Sequence, residues 1–232
     1  LNDLKKVFKN NISRESDQLV RLESFNVKTS ILDFFINIAN YDTRLKKHFR
    51  GYPEHIAYCS KTFYSGDLQA IRLNPKSASD VIKFDILDYE ITDEDGNYNK
   101  KEAQLIISNL EKLKEKKIKQ TVGIITPFSA QQKFLSIMIS EHPNAVRFQK
   151  ELKLAIFTFD TCQGEERDII MYSMVANRQA DSLNYVIPLE IRGKTEDEID
   201  GKIKFQRLNV GFSRGKEKLV FILSKPLEEF KG

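Results

Sequence analysis

The sequence has little of what staples or anchors a chain. Its 232 residues include two Cys, three His and no Trp. Two Cys, far apart at Cys59 and Cys162, exclude a disulfide framework and a Cys-x-x-Cys metal site. Such sparing use of Cys predicts a reducing, intracellular and cytoplasmic setting. No apolar run approaches about 18 residues, so none predicts a membrane span. Leu1–Lys6 has no apolar stretch behind it and does not read as a signal peptide. The chain also lacks an initiator Met, which predicts an excised piece or a processed product. A complete phosphate-binding P-loop is missing. Gly193-Lys194-Thr195 has its ending, but Pro188 stands where the first Gly is needed, and Glu196-Asp197-Glu198 would repel a phosphate. Asp93-Glu94-Asp95-Gly96-Asn97 has its Gly one place early for a calcium loop and predicts a turn. His48, His55 and His142 show no paired metal spacing, so no metal site is expected. Ser60, Ser129 and Ser213 lack the G-x-S-x-G elbow of a hydrolase.

What is present is a globular chain. It is 41% hydrophobic and 30% charged, with a net charge of +4. That composition excludes disorder and permits a polyanionic partner without requiring one. A domain of this length buries roughly 70% of its unfolded surface and needs no staple. Residues 1–24 are polar and read as a linker or short helix. Residues 25–232 read as one main domain, with a polar, acidic surface insertion at 178–201. Helical spacing marks 30–40, 53–63, 101–119, 131–139 and 205–214. Strand patterns mark 44–49, 81–91, 122–125, 154–159, 168–175 and 219–223. Short, fully apolar strands between helices predict a mainly parallel α/β sheet covered on both faces.

Three segments carry more than packing. In Leu45–Glu54, a strand delivers Arg50 to a turn forced by Gly51 and Pro53. In Phe157–Asp168, polar residues and Gly164 follow a strand. They suit the crevice beyond the carboxyl ends of strands, where Gly164 allows close approach and Gln163 and Glu166 can bind hydroxyls or bases. In Gln206–Lys216, Arg207 and Arg214 are two turns apart on the expected helix and share a face, beside Asn209 and Ser213.

In order, the chain carries Phe49-Arg50-Gly51-Tyr52-Pro53, Phe63-Tyr64-Ser65-Gly66, Ile125-Thr126-Pro127-Phe128-Ser129-Ala130-Gln131, Asp160–Glu166 and Arg207–Arg214. This series resembles the second RecA-like domain of superfamily 1 helicases. The nearest branch holds the nonsense-mediated-decay RNA helicases and the DNA replication helicase-nucleases. The resemblance runs over residues 41–224. It departs at Tyr52, where the family usually has His, at Cys162, where it has an aromatic, and at Gly211 and Gly215, where Ala is commoner.

The resemblance implies a RecA-like three-layer α/β/α fold and a motor-domain function. Arg50 and Arg214 would be arginine fingers. Gln163, Gly164, Glu166 and Arg207 would lie on the nucleotide side. Thr126, Pro127 and Thr161 would face a single strand of DNA or RNA. ATP and Mg²⁺ would bind only together with a first RecA-like domain of the same polypeptide, so this piece would be inactive alone. Two other classes stand beside this one: a RecA-like interaction or regulatory module, and an α/β nuclease. The intact charged motif set argues against the first. The lack of a carboxylate cluster with metal spacing argues against the second.

Overall fold

The structure is a computed structural model. It describes residues 43–73, 77–87, 98–115, 119–175 and 203–223, with isolated positions within 1–41 and 226–228. Most of the helix expected at 30–40, the turn at 93–97, the Gly193–Thr195 stretch and the insertion at 178–201 lie outside the described residues. The chain divides into two compact units, Leu1–Leu45 and Lys46–Gly232. In the first, Ala39 N donates to Phe35 O at 2.8 Å, one helical turn. Every motif above the division at Lys46 belongs to the second unit.

The second unit runs β1 (Lys47–His48), α1 (Pro53–Phe63), β2 (Gln69–Ala70), α2 (Ala78–Val81), β3 (Ile82–Ile86), α3 (Lys100–Glu115) and β4 (Val122–Thr126). Then come α4 (Ser129–Ser140), α5 (Ala145–Glu151), β5 (Ala155–Thr158), β6 (Arg167–Ser173), α6 (Ile203–Phe212) and β7 (Gly215–Leu223). Strands β1 and β2 form a small parallel pair, and the other five form a sheet in the order β3-β7-β6-β4-β5. Every pairing in that sheet is parallel. The expected α/β/α layering follows from side-chain alternation along the strands. Ile125, Ile170, Tyr172 and Leu219 pack with Cys59 of α1 and Leu208 and Phe212 of α6. Val122, Ile124, Ile169, Met171 and Val220 pack instead with Ile106, Leu135 and Phe148 of α3, α4 and α5. Strand β4 is buried at all five positions, as a parallel strand covered on both faces must be.

Several boundaries differ from the sequence reading. The strand expected at 81–91 opens with the helical turn α2, and β3 covers only 82–86 as an edge strand paired to β7 alone. Its Phe84 and Ile86 are exposed, Phe84 stacking on Phe221 at 5.4 Å. Helix α3 begins at Lys100 and is described through Glu115; residues 116–118 of the helix expected at 101–119 lie outside the described residues. Helix α5 escaped the periodicity because it is only seven residues long; it seats Phe148 in the core. Strand β7 begins at Gly215, four residues early, because its charged start, Lys216-Glu217-Lys218, lies at the rim of the sheet.

Candidate functional site

In the β6–β7 register Arg167 lies opposite Gly215. Glu166 and Arg214 therefore stand side by side, each just ahead of its strand, and Arg167 N donates to Arg214 O at 3.2 Å. Arg50 reaches the same place from the turn between β1 and α1. Its Nε donates to Glu166 Oε2 at 2.8 Å and its Nη1 to Ser213 O at 3.0 Å. Lys216 Nζ lies 2.5 Å from the other oxygen, Glu166 Oε1. Arg214 donates through Nε to Val210 O at 2.6 Å, through Nη1 to Glu165 O at 3.3 Å and through Nη2 to Ser213 Oγ at 3.1 Å. Arg50 and Arg214 thus share Ser213, although they are far apart in sequence.

Two expectations need correction. The Arg50–Glu166–Arg214 cluster sits at the amino ends of β6 and β7, not beyond carboxyl ends. The segment 159–166 leaves the carboxyl end of β5 and crosses the sheet face, with Phe159 and Cys162 in the core, before entering β6. Arg214 is also not on the helix face with Arg207, because α6 ends at Phe212. Its guanidinium folds back to cap a carbonyl of the last turn, a group that the ended helix leaves without an amide partner.

Lys47, His48, Phe49, Arg50, Arg72, Glu166 and Lys216 line an open cavity of about 680 Å³. Sequence reasoning missed Arg72. It donates to Arg50 O at 3.2 Å, Lys216 O at 3.0 Å and Tyr52 Oη at 3.2 Å, and is ion-paired with Glu217. Its guanidinium lies 4.5 Å from the centre of the Tyr52 ring. Tyr52 is itself buried, its hydroxyl donating to Glu217 Oε2 at 2.9 Å. No sequence signal marked Arg72: it follows β2, a two-residue strand that periodicity cannot show, and its place comes from the pairing of β2 with the strand that delivers Arg50. Phe49 is 69% exposed at the cavity wall, an apolar ring among cations.

The electrostatics follow from this packing. The hydrogen bond from Arg50, then that from Lys216, holds Glu166 well below the ordinary 4.5, at about 2. Burial first, then the charge of Arg50, pulls His48 down to about 4, so its ring is neutral and its Nε2 accepts from Gly51 N at 3.0 Å. Burial, then the like charge of Arg50, pulls Arg214 below its ordinary value. Burial pushes the Cys59 thiol up to about 12 and the Cys162 thiol to about 11, so both are protonated core groups.

The remaining candidates lie elsewhere. Gln163 and Gly164 are exposed but do not line the cavity. Gly164 has φ +82°, and nothing lies within 4 Å of where a Cβ would stand. The left-handed turn itself calls for glycine there. At the carboxyl ends of the strands, Thr126 is fully buried and its hydroxyl faces no water, while Pro127 is half-buried. Exposed Thr161 closes a turn, its Oγ1 accepting from Thr158 N at 2.9 Å. Arg207 pairs with exposed Asp160 at 3.1 Å, on the β5 side and not with Arg214.

Behind this end lies a buried polar network that the sequence reading did not see. Gln131, wholly buried, exchanges two hydrogen bonds with the backbone of Asn99, at 2.7 and 3.1 Å, and donates to Ser173 Oγ at 2.9 Å. Ser173 Oγ donates to Glu102 Oε2 at 2.7 Å, and Val175 N donates to the same oxygen at 3.0 Å. Val175 has φ +54°, a strained value for a β-branched residue. The network fixes the end of β6 against the start of α3.

Comparison with known proteins agrees with the helicase resemblance. Over 215 residues the chain is 26% identical to an uncharacterized ATP-dependent helicase MG140 homolog of Mycoplasma pneumoniae, a match covering 88% of this chain and 18% of that protein. Over 230 residues it is 23% identical to the DNA polymerase alpha-associated DNA helicase A of Saccharomyces cerevisiae, covering 85% of this chain and 30% of that protein. The chain therefore spans less than a third of the length of either relative. Among solved structures, the C-terminal domain of a possible DNA helicase from Lactobacillus plantarum WCFS1 aligns with TM-score 0.40 and 15% identity, over 79% of this chain and 94% of that one. A family model described as an AAA domain matches residues 27–225, and the chain belongs to that family, AAA_12.

Proposed function

We propose that this chain is the second motor domain of an ATP-dependent helicase of superfamily 1. It works against a first RecA-like domain of the same polypeptide. One observation carries the reading: Arg50, from the turn before α1, and Arg214 and Lys216, from the start of β7, gather at the amino ends of β6 and β7, where Arg50 and Lys216 line one cationic cavity and Arg214 joins Arg50 through Ser213. The donor set suits the phosphates of ATP, and exposed Phe49 offers an apolar face for its base. It does not suit Mg²⁺. Among the described residues no group of three or more His, Cys, Asp or Glu could hold a metal ion, so no step here runs through the ion.

The work of this chain's own residues is electrostatic. Arg50 and Arg214 meet negative charge on the transferring phosphoryl group, and such a finger is worth roughly 10³–10⁵ in rate. Arg214 is already braced by Val210, Glu165 and Ser213, so little reorganisation is needed when charge develops. Glu166, at the cavity wall beside Arg50, and Gln163 and Gly164, outside the cavity, belong to the nucleotide side of the domain. Thr161 and half-buried Pro127 face single-stranded DNA or RNA at the carboxyl ends of the strands, while Thr126, wholly buried, serves only to position Pro127. Without the phosphate-holding domain, the chain alone should not hydrolyse ATP.

The test is Arg214→Ala in the full-length protein, with ATP turnover as the readout. Turnover should fall about 10³-fold or more. Arg214→Lys should recover little, because an ammonium cannot reproduce the planar fork. Undiminished turnover in Arg214→Ala would refute the assignment.

A further inference from the structure

The cavity holds more positive charge than its internal partners neutralise. Arg72 is matched by Glu217, and His48 is neutral. That leaves Lys47, Arg50 and Lys216 facing the single charge of Glu166. This carboxylate divides its two oxygens between two cations: Oε2 accepts from Arg50 Nε at 2.8 Å, and Oε1 lies 2.5 Å from Lys216 Nζ. Arg50 and Lys216 are thus spaced to grip two neighbouring oxygens of one anion, the geometry that two oxygens of a phosphate also present. The Glu166 side chain is 43% exposed, on an open wall of the cavity, so nothing encloses it. It can swing out to water at little cost, whereas the Arg214 guanidinium is held in place by its bonds to the carbonyls of Val210 and Glu165.

We propose that Lys216 is a phosphate ligand in its own right and that Glu166 is its displaceable counter-ion, a carboxylate occupying the phosphate position until a polyphosphate arrives. The proposal rests on the anion-site reading above. It adds two roles to that reading: a third cation beside the two arginines, and an internal competitor that sets how readily the site takes an anion. The low pKa of Glu166 agrees, since its proton cannot compete with the two cations near neutral pH. Filling the site then exchanges one anion for another, so Arg50 and Lys216 are never left together without a counter-charge.

The experiment uses the 232-residue chain and inorganic tripolyphosphate, which has neither base nor ribose, with affinity read by calorimetry at low ionic strength. Glu166→Gln keeps the shape and removes the charge. It should tighten binding about tenfold, the scale of two exposed ion pairs that no longer have to be broken. Lys216→Met keeps the stem, and should weaken binding by a similar factor and flatten its dependence on salt. Both side chains are partly exposed, so each variant should unfold at the wild-type temperature. If wild type binds and Glu166→Gln binds no better, the counter-ion role is overturned. If Lys216→Met binds like wild type, the ligand role is overturned. If neither wild type nor Glu166→Gln binds at all, the anion-site reading itself fails, a result distinct from the other two.

Discussion

An interior glycine of a helix is usually a weak point, and changing it to alanine commonly adds up to about 1 kcal/mol of stability. Gly211 of α6 should behave in the opposite way. A Cβ built on it would stand 2.2 Å from Phe159 Cδ1 and 2.4 Å from Cε1. Phe159 has little room to yield. It is buried, edge-on to Phe212 at 5.5 Å and stacked over Tyr172 at 6.3 Å. Tyr172 in turn donates its hydroxyl to Gly211 O at 3.0 Å, so the helix cannot simply back away. Overpacking costs about 1–3 kcal/mol, and so short an approach to a ring with little room to yield puts this one at the upper end, about 2–3 kcal/mol. After subtracting the helix-propensity gain, Gly211→Ala should lose about 1–2 kcal/mol, a fall in Tm of about 2–8 °C for a chain of this size. Urea and thermal unfolding measure it. Adding Phe159→Leu should recover part of the loss, leaving the double variant more stable than the sum of the single losses. A Gly211→Ala protein as stable as wild type, or more so, would show that α6 and the 159–166 segment do not meet this closely.

Two further outcomes follow from buried or half-buried polar groups. Ser173→Ala removes the hydroxyl between Gln131 and Glu102, and should cost about 1–3 kcal/mol in urea unfolding; paired with Gln131→Leu, the losses should be non-additive, and simple additivity would argue against a shared network. His48 has its folded pKa depressed to about 4 from the ordinary 6.5, so the unfolded chain takes up that proton first. Its contribution is therefore absent above about pH 6.5, and stability falls as pH drops from 6.5 toward 4. The difference between wild type and His48→Gln should stay constant above that window and diverge within it; parallel curves throughout would count against a desolvated His48.

How much of this was legible beforehand depended on whether a feature is local. The parallel sheet was readable because Val122–Thr126 and Arg167–Ser173 are apolar over short runs. Arg50, Glu166 and Arg214 could be singled out as candidates because each sits in a compact motif. Which end of the sheet they occupy was not readable, because that depends on the strand order β3-β7-β6-β4-β5 and on how segment 159–166 crosses a face. Arg72 was invisible as a site residue for the same reason, and Lys216 was legible only as a cation at the end that carries Arg214: the cavity needs the β1–β2 pair and the start of β7 brought together. Gln131 was quoted within a motif, yet its partners Asn99 and Ser173 come from other elements. Long-range convergence, not residue type, separated what was read from what was missed.

The arrangement gives one patch of core an unusual position. Segment 159–166 and helix α6 both cross the same face of the sheet between its two ends. Asp160 and Arg207 pair near the carboxyl end of β5, while Glu166 and Arg214 stand together at the amino ends of β6 and β7. Each crossing thus carries one residue of the first pair and one of the second. They meet at Gly211 and Phe159, and the aromatic cluster of Phe159, Tyr172, Phe212 and Phe221 lies beneath them. Close-packed aromatics yield little to small displacements and move as a group. The spacing between the Asp160–Arg207 ion pair and the neighbouring Glu166 and Arg214 is therefore set by this cluster more than by the ion pairs at the two ends, Asp160–Arg207 and Arg50–Glu166, since exposed ion pairs contribute only about 0–1 kcal/mol each. In the proposed motor domain, the strand-facing and nucleotide-facing ends would be held in register by aromatic packing, with the charged residues free to exchange partners at either end.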